Sequence, residues 1–293
     1  MIDYTFTSGQ DLLAICRQEQ IPISEAAIRM ELSREEMDRT GIVQEMRIDL
    51  EVMRESIRVG LEEQQTSITG LMGEDADKLM AFAEDAVMGR EMTEIVASAM
   101  AVTEVNASMG RIVAAPTAGA SGVLPAVLIR YGNAHDLTEE QLIAGLCNAG
   151  AIGLIIARNA SIAGASGGCQ AETGSAAAMA ASALTELRGG TPEMCLHAAA
   201  IALKNVMGLV CDPVAGLVEC PCIKRNAIGA ANAVLCSDMV TAGIESIIPF
   251  DEVVTAMRNV GRMMHPDLRE TARGGVAATP TAQRIAERIR SFE

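Results

Sequence analysis

The shortage of aromatic residues restricts the fold of this chain more than any other feature. Only 2% of its 293 residues are aromatic, with no Trp, two Tyr and four Phe, although 49% are hydrophobic. Aromatic and β-branched residues favour strands, whereas Ala, Leu, Met and Glu favour helices. Because the chain is rich in Ala and Met, its composition predicts an all-α fold: a compact helical domain with closely packed, Ala- and Gly-rich central helices.

Charge and hydropathy limit the partners and the compartment. The net charge is −15, so the chain repels phosphate backbones, and we expect no nucleic-acid partner. The N-terminus lacks a positive region followed by an apolar run, which argues against a secretory signal. The apolar stretch 145–157 is too short to span a membrane and contains Asn148, which indicates a core helix. We therefore expect a cytoplasmic protein with no membrane partner.

The composition divides a single domain, residues 1–293, into three parts. Residues 1–110 carry most of the charge and are predicted to form amphipathic helices, residues 111–276 are predicted to form an apolar catalytic helical core, and 277–293 a C-terminal helix. In the first part we expect a helical stretch over 24–63, with Ser24 as its N-cap. Gly41 and Gly60 weaken the helical pattern, so this stretch forms either one helix or two. A second helical stretch is expected over 76–108.

Turn and capping signals set the helices of the core. The pattern Thr138-x-x-Gln141 predicts a capping box that opens a helix to about Ala160, and Thr191-Pro192 predicts another helix start. We expect a helix that follows loop 115–122 and ends near Tyr131. Further helices are expected over 138–160, 171–188, 192–207, 223–241, 251–264 and 280–292.

The two helices 171–188 and 192–207 should form a hairpin that brings three cysteines together. Each arm is about 25 Å long at 1.5 Å per residue, so the chain returns to the place where it began. Loops 161–170 and 209–222 should then lie side by side, with Cys169 beside Cys211 and Cys222 at the far end of the second loop. This arrangement predicts a metal site formed by interhelical loops.

Three thiolates would hold a metal group with one open position. Iron–sulfur clusters that only transfer electrons commonly have four Cys ligands, whereas three leave one iron free to act as a Lewis acid. Spacing alone leaves Cys220 and Cys222 equivalent, and zinc with three Cys plus His197, Cys220 or water is an alternative. The other cysteines are expected to be small buried hydrophobic residues: Cys16, Cys147, Cys195 and Cys236.

Two Gly-rich loops that lead into helix N-termini are candidates for binding an anion. Loops 115–122 and 161–168 would place backbone N–H groups where a substrate carboxylate can bind, and the same helix ends should lower the pKa of nearby thiols. Lys204 and Lys224 are the alternative source of chemistry, through a Schiff base with pyridoxal phosphate, but neither lies in a pattern that requires it.

Four segments resemble one family. They are 115–125 (Ala-Pro-Thr-Ala-Gly-Ala-Ser-Gly-Val-Leu-Pro), 167–176 (Gly-Gly-Cys-Gln-Ala-Glu-Thr-Gly-Ser-Ala), 211–222 (Cys-Asp-Pro-Val-Ala-Gly-Leu-Val-Glu-Cys-Pro-Cys) with Arg225-Asn-Ala, and 269–275 (Arg-Glu-Thr-Ala-Arg-Gly-Gly). Together they resemble the α chain of the bacterial iron–sulfur L-serine dehydratases (L-serine ammonia-lyases), in the two-subunit form.

The resemblance implies an all-helical fold and a [4Fe–4S] cluster held by Cys169, Cys211 and Cys222. It implies that L-serine binds the open iron, that a base removes the α-proton, and that aminoacrylate hydrolyses to pyruvate and ammonia without pyridoxal phosphate. The residues that we expect to bind the substrate are Thr117, Ala118, Gly119, Ser121, Gly168, Asn226 and Arg273.

The chain departs from single-chain relatives in two places. It contains no Ser-Ser-Ser-His segment, which in those relatives supplies a catalytic His, and it ends in Ser-Phe-Glu instead of a Cys. Both departures imply a separate β subunit that carries the base, which is unassigned in this chain. The rival functions are an L-cysteine desulfidase of the same superfamily and a non-catalytic, zinc-stabilised subunit.

Overall fold

The computed structural model describes residues 3–34 and 36–291, and within them the chain is all-α, as the composition predicts. No strand occurs among these residues; a single isolated bridge joins Cys211 and Arg269. The helices are α1 Gly9–Glu19, α2 Ile23–Ser33, α3 Arg39–Glu62, α4 Asp75–Ala81, α5 Arg90–Ala107, α6 Val123–Ala134, α7 Glu139–Asn159, α8 Gly164–Gly167, α9 Ser175–Leu187, α10 Pro192–Asn205, α11 Cys222–Thr241, α12 Phe250–Met263 and α13 Pro280–Arg290.

The Ala-rich helix α9 lies at the centre of the fold. It packs against α6, α7, α10 and α11, and its residues from Ser175 to Thr185 are all buried. A helix without a polar face is stable only when other helices surround it, and small side chains allow those neighbours to approach closely. The predicted buried, Ala-rich central helices are thus confirmed.

Helix α7 begins at the predicted capping box, in which the Thr138 side chain accepts from the N–H of Gln141 and the Gln141 side chain accepts from the N–H of Thr138. Among the described residues, α7 alone is long and apolar enough to cross a membrane, but 67% of its most apolar window is buried within the fold. The buried amide side chain at its middle, Asn148, donates to Glu186 and accepts from Ser182, both on α9. These contacts are those of a core helix.

The predicted stretch 24–63 forms two helices, but neither glycine separates them. Helix α2 ends at Ser33 and α3 begins at Arg39, where the Asp38 side chain caps it by accepting from the N–H of Gly41. Gly60 lies inside α3 where this helix crosses α5 so closely that a Cβ would strike the Ala101 carbonyl. The expectation for Ser24 was wrong: Pro22 occupies the N-cap position, and Ser24 lies in the first turn.

The predicted helical stretch 76–108 is also interrupted, because α4 ends at Ala81 and α5 begins only at Arg90. Gly89 precedes α5 with a φ of +77°, which favours glycine and breaks the helical path. The buried Glu104 of α5 accepts from the N–H groups of Asp75 and Ala76, and so caps α4. A carboxylate distant in sequence therefore holds the short helix in place.

The core helices lie near their predicted positions, with small differences at their ends. Residues 170–174 form a π-turn that runs into α9, and α10 ends at Asn205, before the expected 207. Helix α13 ends at Arg290, and the predicted end at residue 292 lies outside the described residues. The three-part division of the chain stays a prediction.

Candidate metal centre

The α9–α10 hairpin brings the two predicted loops together. The N–H of Gln170 donates to the Leu209 carbonyl at 3.0 Å, and the N–H of Gly208 donates to Oε1 of Gln170 at 2.8 Å. The Gln170 amide also donates to the carbonyls of Gly167 and Met257. These bonds fix loop 161–170 against the start of loop 209–222, as the hairpin geometry predicts.

Cys169 and Cys211 meet at this junction, together with a carboxylate that the sequence reasoning did not single out. The two Sγ atoms and a carboxylate oxygen of Glu172 all lie within 4.8 Å of one another. The Cys211 Sγ lies 3.8 Å from Oε2 of Glu172. Residues three apart on a helical turn face the same side, so the spacing of Cys169 and Glu172 was the available signal.

Cys222 lies outside this compact group. It is the first residue of α11 and is buried, while Cys220 is only half-buried. Burial, aided by the negative groups of Cys169 and Glu172, raises the pKa of the Cys222 thiol to about 12. The structure therefore joins two of the three predicted ligands with Glu172, and the role of Cys222 stays a prediction.

The pKa values of the Cys169 and Cys211 thiols are shifted in opposite directions. A hydrogen bond from the Cys211 thiol, helped by the positive charge of Arg225, lowers the pKa of Cys169. The same hydrogen bond and burial raise the pKa of Cys211. The expected lowering of thiol pKa values thus holds for Cys169 but was wrong for Cys211 and Cys222, because burial opposes the thiolate there.

Arg225 is the cation closest to the thiols. Its Nη1 lies 3.5 Å from Sγ of Cys169 and donates to the Val210 carbonyl, and its Nη2 forms a buried ion pair of 2.8 Å with Oδ1 of Asp212. Asp212 also accepts from the N–H of Val276 at 2.6 Å. This pair anchors the residues on both sides of Cys211, although the sequence reasoning gave Arg225 and Asp212 no role.

The first Gly-rich loop closes the other side of the centre. The Thr117 hydroxyl donates to Oε1 of Glu172 at 2.9 Å, and a Cβ on Gly119 would lie 3.3 Å from the same oxygen. A Cβ on Gly164 would lie 2.6 Å from Oε2 of Glu172 and 2.8 Å from Sγ of Cys211. Glycine at these two positions leaves space around the ligand atoms that any other side chain would fill.

Two of the expected substrate-binding residues, Asn226 and Ser121, use their polar groups in hydrogen bonds within the protein. Asn226 is fully buried: its amide donates to the carbonyls of Gly119 and Cys222, and its oxygen accepts from the N–H of Gly122. An amide has two donor hydrogens, and both are occupied here. The Ser121 hydroxyl, also buried, donates to the Ala118 carbonyl. Asn226 therefore joins the first Gly-rich loop to α11.

The remaining expected residues differ in position. Ala118 is exposed on the first Gly-rich loop. Gly168 is buried, has a φ of +79° and uses its N–H to close α8 onto the Gly164 carbonyl. Arg273 is exposed and makes no hydrogen bond or ion pair within the described parts of the chain, and its role in substrate binding stays a prediction.

The other residues weighed as chemical candidates make ordinary structural contacts. Cys16, Cys147, Cys195 and Cys236 are buried, as expected of small hydrophobic residues. Lys204 donates to the Ser246 carbonyl, and Lys224 pairs with Asp75 at 3.2 Å. His197 accepts from the N–H of Ser246 through its Nδ1.

Comparison with known proteins shows the family of this chain. Residues 18–277 match the family described as "Serine dehydratase alpha chain". The chain is 49% identical to the probable L-serine dehydratase α chain of Bacillus subtilis, over 97% of this chain and 95% of that protein. It is 40% identical to the L-serine dehydratase α chain of Peptoniphilus asaccharolyticus, over 95% of this chain and 96% of that protein.

A longer relative shows the same similarity over part of its length. The L-serine dehydratase of Streptomyces coelicolor is 39% identical over 94% of this chain, but the match covers only 62% of that protein. With the family match over most of its length and the two α chains covered almost completely, this chain belongs to the serine dehydratase alpha-chain family.

Proposed function

We propose that this chain is the α subunit of an L-serine dehydratase. The reaction removes water from L-serine, and the aminoacrylate that forms hydrolyses to pyruvate and ammonia. The observation that carries the proposal is the group of Cys169, Glu172 and Cys211 at the junction of the Gly-rich loops, in a chain similar to two L-serine dehydratase α chains.

The donor set suits a [4Fe–4S] cluster with one open position. Cys169 and Cys211 supply two thiols, Cys222 is the third buried thiol of this region, and Gly164 leaves room beside the ligand atoms. When bound, such a cluster supplies a Lewis acid that polarises the leaving hydroxyl. In this proposal Cys222, not Cys220, completes the ligand set.

The residues around the thiols orient the site. Glu172 is partly buried and accepts from Thr117, so its carboxylate has a fixed position beside Cys211. Arg225 places positive charge next to Cys169, which favours the thiolate that a metal requires. The loop that contains Thr117, Ala118, Gly119 and Ser121 forms the side of the site on which we place the substrate carboxylate, with Gly168, Asn226 and Arg273 as further candidates.

We propose a β subunit as the partner and as the source of the base. The α-chain relatives are matched almost end to end, whereas the Streptomyces coelicolor protein contains a further part that this chain does not match. No His lies among the residues of the described centre. We place the protein in the cytoplasm, where its eight cysteines stay reduced.

Anaerobic purification with the β chain tests the proposal. We expect iron and sulfide in equal amounts, the visible absorption of an iron–sulfur cluster, and pyruvate from L-serine. Cys211→Ser should lose all three, while the matched control Cys147→Ala, which replaces a buried thiol remote from the centre, should keep them. Stoichiometric zinc in a colourless protein would contradict the cluster, and faster elimination from L-cysteine than from L-serine would contradict the substrate.

A further inference from the structure

A cavity of about 140 Å³ lies between α12 and the second Gly-rich loop. Its walls come from the end of α7, from the segment around α8 and from one side of α12; they are Ala160, Ser161, Ser166, Gly167, Gln170, Ala171, Met257, Arg258 and Arg262. Cys169, Glu172 and Cys211 do not line it, although Gln170 and Ala171, which lie between Cys169 and Glu172 in the sequence, do.

Two arginines on α12 give the cavity a positive charge. Arg258 and Arg262 are four residues apart and therefore lie on one face of the helix, where like charges repel each other. Neither forms an ion pair with a carboxylate in the part of the chain that the structure describes, although the chain has 38 acidic residues. An anion held between the two guanidinium groups would remove this repulsion.

The donors of these arginines are only partly used. Nη1 of Arg258 donates to the Asn159 carbonyl at 3.1 Å, at the end of α7, but its Nε is buried and has no hydrogen-bond partner. A buried donor without a partner costs free energy, which a bound acceptor would recover. The Arg262 side chain is exposed and makes no hydrogen bond among the described residues, so its five N–H donors are accessible to a ligand.

Serine hydroxyls add further donors to the lining of the cavity. The Ser161 oxygen accepts from the N–H of Ala163, which leaves its own O–H free to donate. The Ser166 hydroxyl has no partner within the described residues and is exposed. The apolar part of the lining comes from Ala160, Ala171 and Met257.

A close helix–loop contact holds the arginines over the loop. A Cβ on Gly261 would lie 3.0 Å from Cα of Gly167, so glycine at this position lets α12 approach the loop backbone. The bond from the Gln170 amide to the Met257 carbonyl holds the same two elements together. The cavity is thus formed by the packing of α12 on the second Gly-rich loop.

We propose that this cavity is a binding site for a small carboxylate, such as a 2-oxo or 2-hydroxy acid with a short apolar tail. Guanidinium groups match the planar carboxylate with paired hydrogen bonds, and the apolar part of the lining receives the tail. The volume is similar to that of an engineered cavity of about 150 Å³ that holds benzene, so the ligand has about six non-hydrogen atoms. The site does not depend on the proposed catalytic function.

Calorimetric titration of the full chain with pyruvate, under anaerobic conditions and without substrate, tests this proposal. We expect one site per chain, with binding weakened about tenfold or more by Arg262→Gln, since the variant loses the charged donors that would bind the carboxylate. Arg284→Gln, on α13 and outside the cavity, removes the same charge and should bind pyruvate like the unchanged protein. The melting temperature of Arg262→Gln should stay the same because its side chain makes no hydrogen bond within the described residues.

Three results would overturn the proposal. The first is pyruvate binding that Cys211→Ser abolishes and Arg262→Gln does not change, which would place the ligand at the metal centre. The second is inorganic sulfate that binds as tightly as pyruvate, which would mean a general oxyanion site. The third is the absence of any binding. Because iron content and serine turnover are not the readout, failure of this site would leave the proposed function untouched.

Discussion

The Thr117 hydroxyl donates a hydrogen bond of 2.9 Å to Oε1 of Glu172. This bond joins the first Gly-rich loop to the π-turn that carries Glu172, and it holds the carboxylate beside Sγ of Cys211. The position of the carboxylate therefore depends on a side chain of the loop, which the Asn226 amide in turn joins to α11.

Removal of the Thr117 hydroxyl should reduce activity. In Thr117→Val the partly buried Glu172 carboxylate loses a donor, and we expect serine turnover to fall about tenfold, since hydrogen bonds to charged groups contribute roughly 1.5–3 kcal/mol. Thr117→Ser keeps the donor and should retain most of the activity. Pyruvate formation by the anaerobic α–β complex measures both; a loss in Thr117→Ser with full activity in Thr117→Val would show that the methyl group, not the hydroxyl, matters.

The two cysteines of the Cys220-Pro221-Cys222 turn should behave differently. Cys222 is buried at the start of α11 and Cys220 is half-buried, so we expect Cys222→Ala to lose the iron and Cys220→Ala to keep it. Iron and sulfide counts on anaerobically purified protein decide between them. The reverse result would assign Cys220 as the ligand.

Gly164 should not tolerate a side chain. In Gly164→Ala the new Cβ would press on Oε2 of Glu172 and on Sγ of Cys211, so we expect loss of bound iron. Gly150 provides the control, because it is exposed in α7 and a Cβ there would have no neighbour within 4 Å: Gly150→Ala should keep the iron and stabilise the helix by about 0.4–1 kcal/mol. Iron content and the melting temperature are the two measurements, and full iron in Gly164→Ala would refute the close packing.

Asn226 should contribute chiefly to stability. Its three hydrogen bonds link Gly119, Gly122 and Cys222, and Asn226→Ala removes all three, of which those to Gly122 and Cys222 are buried. We expect the free energy of unfolding to fall by about 2–4 kcal/mol, within the range for loss of a buried hydrogen-bond network. Urea unfolding measures the change. An unchanged unfolding midpoint with a raised KM for L-serine would instead support direct contact with the substrate.

Glu104 should make the stability depend on pH. Burial raises its pKa from 4.5 to about 7, so between these values the unfolded state loses a proton that the native state keeps. The contribution of Glu104 to stability therefore falls as pH rises from about 4.5 to 7 and is constant above that range, a loss on the order of 3 kcal/mol at most.

The melting temperature at pH 5 and at pH 8 checks this dependence. Glu104→Gln keeps an oxygen for the N–H groups of Asp75 and Ala76 but cannot ionise, so its melting temperature should fall less over this interval. Glu84→Gln removes an exposed carboxylate and serves as the control. Identical slopes in the unchanged protein and Glu104→Gln would contradict the prediction.

The sequence by itself determined the fold class, most of the core helices and the meeting of Cys169 with Cys211. These features depend on local information: Ala-rich composition, the capping box at Thr138 and the turn before Pro192, from which the hairpin follows. Local signals were weaker in the charged first part. There Gly60 allows α3 to cross α5 closely, and no residue near it in the sequence predicts this crossing.

Only the tertiary structure decided which side chains share the centre and which are already occupied. Glu172 joins the two thiols because the π-turn and Thr117 direct its carboxylate, Asn226 uses its amide to join a loop to α11, and Arg273 remains exposed. Such roles depend on contacts between segments far apart in sequence. The physical reason is that the partner of a polar or charged side chain depends on the packing around it. The position of a helix along the chain depends mainly on the residues within it.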